Sequence, residues 1–268
     1  MIRPPAVAGR FYPAERAQLA QQVDSLLESA EVRPRRAIAC LVPHAGYIYS
    51  GRVAGAVYAR LDLPARIILL GPRHYPRGAQ MAILSEGAWR TPLGDAPIDA
   101  AIADELRGAC PLLREDSVAH HSEHALEVQL PFLQRRAGNF SFVPIALGNA
   151  RYDELEALGR ALAKVVAAAV EPVLIVASSD MNHYESEAIT RVKDREALDR
   201  ILALDARGLF DVVLREKISM CGVGPAVSAI VAARELGATH GELVRYATSG
   251  DVNGEREQVV GYAGVIIH

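Results

Sequence analysis

The sequence predicts an α/β fold, with a mostly parallel central sheet, helices on both faces and a single domain over residues 1–268. Three observations carry this. Residues 37–42, 67–70 and 173–177 are short runs rich in Ile, Leu and Val, each closed by a polar residue, Pro or Gly, as expected of strands buried on both faces. Between such runs lie segments with apolar residues three and four apart, the period of a helix with one buried stripe. Strands alternating with helices give a parallel sheet covered on two sides.

Taken in order, residues 16–30 form the first predicted helix and 37–42 the first strand. A helix over 53–61 leads to a strand at 67–70 and a weaker strand at 81–84, followed by a helix over 100–106. Residues 125–136 read as a helix with Leu126, Leu130 and Leu133 on its apolar face and Ser122 as its N-cap. A second weaker strand at 140–146 precedes a helix over 153–170 and the strand at 173–177. Helices over 188–204 and 226–236 follow, the last with Pro225 near its first turn. A strand at 259–267 closes the sheet. No internal repeat, low-complexity tract or Gly/Ser-rich linker divides the chain.

Composition narrows the function classes. Half of the 268 residues are hydrophobic, 23% are charged and the formal net charge is -3, which describes a globular chain without an electrostatic footprint for nucleic acid. The apolar stretch 161–177 is broken by Lys164, Glu171 and Pro172, so it reads as a helix, a turn and a strand, and no membrane span is expected. The start, MIRPPAVAGRFYP, lacks the unbroken apolar core of a signal peptide, so a cytoplasmic location is expected. Cys40, Cys110 and Cys221 are odd in number and widely spaced, which argues against a disulfide framework.

Gly and Pro cluster just after the predicted strands, in PHAGYIYSG (43–51), GPRHYPRG (71–78) and SSDMNHY (178–184). In open α/β sheets the ligand crevice lies at the carboxyl ends of the strands. His44, His74 and His183 all sit in such loops and are candidates for one crevice. A lone loop histidine is usually a surface or hydrogen-bonded residue; three at strand ends raise the functional reading. Asp180, three residues before His183, suits an orienting carboxylate or a shared proton site, although Asp after Ser-Ser is also a common turn residue. In HHSEHALEVQLPFLQ (120–134), His124 is a candidate acid or base. Glu123 there is explained by the helix dipole alone, and His120 and His121 are expected in a loop outside the site. Cys221, ahead of a helix, is expected to have a lowered pKa and to suit a metal or an electrophile. Cys40 reads as a buried hydrophobe in its strand, and Cys110 carries no signal.

Six ordered motifs, RPPAVAGRFYP, PHAGYIYSG, GPRHY, EHALEVQLPFLQ, SSDMNHY and CGVGP, resemble the Memo family, known in prokaryotes as AmmeMemoRadiSam system protein B. The resemblance covers nearly the whole chain. It implies a fold similar to the class III extradiol ring-cleaving dioxygenases, whose iron(II) is held by two His and one carboxylate. His44 and His74 match the two His positions, and Cys221 stands at the third, a departure from the dioxygenase pattern. His183 matches the acid/base His, with Asp180 holding its tautomer and His124 nearby. The resemblance further implies iron(II) or copper, with zinc as an alternative, a redox role, and a radical-SAM protein and an Ammecr-type domain protein as partners. A thiolate in place of a carboxylate softens the site towards copper or zinc.

Two other readings remain open on residue types. One is a metal-free hydrolase with Cys221 as nucleophile, His183 as base and Asp180 as orienter. The other is a peptide-binding module with a vestigial site, walled by Tyr12, Tyr47, Tyr49, Tyr75, Tyr184 and Trp89. A peptide or a small aromatic molecule is the expected substrate class.

Overall fold

The structure is a computed structural model and describes residues 1–27 and 33–268. Its strands are β1 (Ile2–Arg3), β2 (Ala39–Val42), β3 (Arg66–Pro72), β4 (Met81–Ile83), β5 (Ala88–Thr91), β6 (Gly94–Pro97), β7 (Arg114–Glu115), β8 (Ser141–Leu147), β9 (Val173–Ser178), β10 (His183–Glu185), β11 (Gly241–Thr248) and β12 (Val259–Ile267). Its helices are α1 (Arg16–Leu27), α2 (Tyr47–Ala59), α3 (Ala100–Ala109), α4 (Val118–His121), α5 (Leu130–Arg136), α6 (Tyr152–Ala168), α7 (Glu187–Leu202), α8 (Ala206–Arg215), α9 (Val223–Glu235) and α10 (Gly250–Asn253). The predicted helix over 16–30 is present as α1, and its last three residues lie outside the described ones.

The main sheet has nine strands in the order β10-β12-β2-β9-β3-β8-β4-β7, with β11 on the other side of β12. It is parallel at its centre, β2-β9-β3-β8, and again at the short β4-β7 edge pair, while β12 runs antiparallel to β2, β10 and β11, and β4 antiparallel to β8. The expected mostly parallel sheet is therefore a mixed one with a parallel heart. The flanking strands escaped periodicity because β10, β11 and β7 carry many polar residues and pair at the edges. A separate small sheet, β1-β5-β6, holds the N-terminal segment.

The central strands send alternate residues to two cores, as the strand period of two requires. Ala39, Leu41, Ile68, Leu70, Ile175 and Ala177 face the layer of α3, α6, α8 and α9. Cys40, Val42, Ile67, Leu69, Leu174 and Val176 face α1, α2 and α5. This double burial is why these runs are apolar at every position, and it places Cys40 in the core as read. The stretch 161–177 resolves into the end of α6, an exposed Val170 and the start of β9, so it is a helix, a turn and a strand. Among the described residues no helix is long and apolar enough to cross a membrane.

Helix α8 was not anticipated, although Asp205 caps it by accepting from the Gly208 amide and its apolar face is Leu209, Val212 and Val213. The expected helix over 125–136 is shorter than its pattern. A single 3-10 turn, Glu127–Gln129, precedes α5, and Ser122 ends α4 instead of capping α5. A buried carboxylate in this stretch, Glu123, accepts from the amides of His124 and Ala125, which a longer helix would use.

The α6–α9 contact depends on a small residue. A Cβ at Gly159 would stand 2.6 Å from the Val231 Cβ and 2.8 Å from the Ser228 carbonyl oxygen. Gly159→Ala gains up to about 1 kcal/mol of helix propensity, but overpacking at a backbone contact costs about 1–3 kcal/mol. A lowered denaturation midpoint is expected; an unchanged or raised one would contradict this packing.

Candidate metal centre

Strands β2, β9 and β3 are neighbours, so the loops leaving their carboxyl ends meet. They deliver His44 after β2, His74 after β3, and Asp180 and His183 after β9. The segment 120–129 crosses the same edge, and Cys221 enters from the α8–α9 connection. Donor atoms of His44, His74 and Cys221 lie within 4.8 Å of one another.

A chain of buried hydrogen bonds sets the His44 tautomer. Tyr58 donates to Gln129 Oε1 (3.0 Å), and Gln129 Nε2 donates to the Pro43 carbonyl (2.9 Å) and to Ser178 Oγ (2.9 Å). The Ser178 hydroxyl spends its one proton on the Ala125 carbonyl (2.7 Å), so towards His44 Nδ1 at 2.9 Å it can only accept. Nδ1 therefore carries the proton and Nε2 keeps its lone pair. Burial and the neighbouring His74 hold the His44 pKa well below its usual value, keeping the ring neutral. Its Nε2 faces Cys221 Sγ at 3.3 Å.

Glu123 performs the same task for His74. Its Oε2 accepts from the His74 amide (2.6 Å), and its Oε1 contacts His74 Nδ1 (2.8 Å) and accepts from the amides of His124 (2.8 Å) and Ala125 (2.8 Å). Burial alone would raise the carboxyl pKa, but His74 and these amides hold it at about 2. Burial likewise pulls His74 down while the Glu123 carboxylate more than offsets it, leaving its pKa raised. With Nδ1–H committed to the carboxylate, the other nitrogen, Nε2, is the one left for a ligand.

His124 stacks on His74 at 4.4 Å between ring centroids and lies 5.6 Å from His44. Burial and the neighbouring His44 ring lower its pKa to about 4, so it is neutral near pH 7. His74, Glu123 and His124 also bring donor atoms together within 4.8 Å. The Glu123 oxygens are already committed to four donor groups, so this carboxylate positions the two imidazoles and is poorly suited to be a ligand itself.

Asp180 is buried, which raises its pKa, and its Oδ1 accepts from the His44 amide at 2.7 Å. Its own amide donates to Cys221 Sγ at 3.3 Å. His183 takes its orientation elsewhere: its Nδ1 lies 2.8 Å from the Ser219 carbonyl and its amide donates to Ser219 Oγ at 2.7 Å. The expected Asp180–His183 orienting pair is thus replaced by Asp180–His44 and Ser219–His183, because Asp180 is buried while His183 is half-buried at the start of β10. The Cys221–His183–Asp180 triad is not assembled either, since the imidazole on the thiol is that of His44.

Cys221 precedes Gly222, the N-cap of α9. A Cβ at Gly222 would come 2.5 Å from the Ser178 carbonyl oxygen and 2.4 Å from the Ser179 Cβ, so only glycine lets the thiol approach β9 this closely. The expected lowered thiol pKa is corrected: burial and the Asp180 charge raise it.

Sequence reasoning missed Glu123, assigned to the dipole, and Glu127, which is fully buried and accepts from Arg3 Nη1 (2.7 Å), the amides of Ala6 (2.8 Å) and Val7 (3.0 Å), and the Tyr12 hydroxyl (2.6 Å). The signal available was two acidic residues in an otherwise apolar, inward-facing stretch. His120, expected in a loop, lies in α4 and is buried. Of the aromatic residues considered for a peptide groove, Tyr12, Tyr47 and Trp89 are core, whereas Tyr75 and Tyr184 are exposed.

A metal about 2.0 Å from an imidazole nitrogen and about 2.3 Å from a thiolate sulfur spans a nitrogen–sulfur edge of about 3.5 Å at a tetrahedral angle. The observed 3.3 Å between His44 Nε2 and Cys221 Sγ fits that edge. Two imidazoles with fixed tautomers and one thiol suit iron, copper or zinc.

Comparison with known proteins agrees in extent. The chain is 40% identical over 279 residues to MEMO1 family protein MK0963 of Methanopyrus kandleri, covering 99% of both chains. It is 40% identical over 279 residues to a MEMO1 family protein of Pyrobaculum arsenaticum, covering 100% of this chain and 99% of the relative. Among solved structures, uncharacterized protein JW3007 from Escherichia coli K12 shares the fold with a TM-score of 0.55 at 13% identity, over 84% of this chain and 99% of the other. The family description "Memo-like protein" matches residues 3–266, and the chain belongs to the Memo family.

Proposed function

We propose that this chain is a metal-dependent redox enzyme, an oxidase or dioxygenase-like protein, with iron or copper held by His44, His74 and Cys221 and zinc as the alternative ion. The observation that carries the reading is the convergence of these donors, each imidazole with its Nδ1 occupied and its Nε2 left for a ligand. Such an ion supplies Lewis acidity and, for iron or copper, a one-electron couple.

The chain's own residues have separable roles. Ser178 and Glu123 hold the two ligand rings in one tautomer. Asp180 ties the His44 backbone to the Cys221 sulfur, fixing the distance between two ligands. His183, with Nδ1 on the Ser219 carbonyl, has Nε2 left to take a proton from a substrate entering the mouth. His124, neutral and stacked on His74, is a second proton acceptor deeper in the cleft. A small aromatic molecule or a peptide side chain is the proposed substrate class, and a radical-SAM protein and an Ammecr-type domain protein are the proposed partners.

The 3.3 Å contact between Cys221 and His44 also suits a thiol–imidazole nucleophile, with His44 in the place first considered for His183. The raised thiol pKa disfavours that use without a cation nearby.

Protein purified without oxygen and without a metal affinity tag is expected to hold close to one iron or copper per chain by elemental analysis, lost in His44→Ala and in Cys221→Ser. Metal absent from the parent after anaerobic reconstitution, or retained in both variants, would overturn the reading. Glu123→Gln removes the charge that steadies His74, and metal affinity should fall about 10–100-fold. Chelator competition that finds the parent affinity in Glu123→Gln would remove Glu123 from the account.

A further inference from the structure

A cavity of about 910 Å³ lies not at the candidate metal centre but behind it, between the N-terminal segment, the loop after His74 and helix α4. Leu84, Trp89, Ile98 and Val118 supply apolar walls, and His120 lies against the Trp89 ring at 5.6 Å between centroids. This volume falls in the range of about 300–1,000 Å³ typical of small-molecule sites.

Two buried side chains in that wall have unspent hydrogen-bonding capacity. Trp89 Nε1 and both ring nitrogens of His120 are buried without a hydrogen-bond partner. The Ala82 backbone is close enough to His120 to influence its pKa, yet no bond of proper geometry forms. Native proteins leave few such atoms unpaired, because a buried polar group without a partner carries its full desolvation cost. The nearby charge is already committed: Arg3 lies over the Trp89 ring at 4.0 Å, and its guanidinium donates to Glu127 and to the carbonyls of His120 and Glu123. Burial and Arg3 lower the His120 pKa to about 4, so the ring is neutral near pH 7. The buried part of the wall therefore offers neutral donors and acceptors, while the charged lining residues Arg77, Glu86 and Glu115 are exposed.

We propose that this cavity is a second ligand site, for a neutral small molecule with an aromatic or aliphatic body and a polar group that hydrogen-bonds to His120 or Trp89. It does not depend on the metal centre. Its entrance carries the exposed apolar side chains of Tyr75 and Val118, which an apolar ligand would cover.

Trp89 is the single tryptophan of the chain and lines this cavity, so it is a donor beside the site, and the variants below localise the bound probe. The probe is N-phenyl-1-naphthylamine, a neutral aromatic amine that accepts energy from tryptophan. Saturable, one-to-one sensitised probe emission is expected in the full chain, with or without added metal. His120→Phe keeps a ring and removes the unpaired nitrogens; it should weaken the probe tenfold or more while leaving Tm unchanged or raised. Val118→Glu, at the exposed rim, should weaken the probe without affecting folding. No saturable signal, or probe affinity unchanged in both variants, would overturn the site. A Tm lowered in His120→Phe with probe binding intact would mean that the nitrogens serve an internal water, and would overturn it equally.

Discussion

Two carboxylates buried on one short segment, Glu123 and Glu127, are the constraint on which the site depends. Placing an ionised carboxylate out of water costs several kcal/mol unless charges and donors surround it. Glu123 meets that demand with the amides of His74, His124 and Ala125 and the His74 ring, and Glu127 with Arg3, two N-terminal amides and Tyr12. One residue thus clamps the loop after β3, and the other clamps the N-terminal segment. Arg3 joins them by donating to the Glu123 carbonyl as well as to Glu127. The same demand explains why the 120–136 stretch is a turn, a 3-10 turn and a short helix instead of one long helix. The amides of His124 and Ala125 at its start are spent on Glu123 and not on carbonyls four residues back.

The centre so built is asymmetric. His44 is deep, neutral and held by Ser178 through a hydrogen-bonded chain that reaches Tyr58 in the core. His74 is shallower, carries a carboxylate behind it and shares an aromatic face with His124. Cys221 lies beside the Asp180 amide, protonated when no cation is near. An ion held by Cys221 would displace that proton, so metal binding and thiol ionisation would be one event. His183 has its own anchor on Ser219.

Much of this was legible in the residues. The three fully apolar runs identified the parallel heart of the sheet, because burial on both faces leaves no polar position. Punctuation after those runs located His44, His74, Asp180 and His183, because a parallel sheet gathers the loops at one edge. Strands β10 and β11 were hidden by polar side chains at sheet edges, and α8 by a glycine in its first turn. The roles of Glu123 and Glu127 were also hidden. A helix dipole explains an acidic first turn equally well, and only three-dimensional contact shows which amides and imidazoles converge on each carboxylate. The pairing of Asp180 with His44 instead of His183 was likewise beyond spacing. It follows from β9 ending with one side chain inward and the chain then turning outward into β10.

The central claim is that Cys221 and two imidazoles close on one ion. The most direct measurement is the electronic absorption of the cobalt(II)-substituted protein, in the parent and in Cys221→Ser. The account predicts a thiolate-to-cobalt charge-transfer band in the near ultraviolet for the parent, lost in Cys221→Ser. Cobalt bound stoichiometrically to the parent without that band would place the ion away from Cys221 and contradict it.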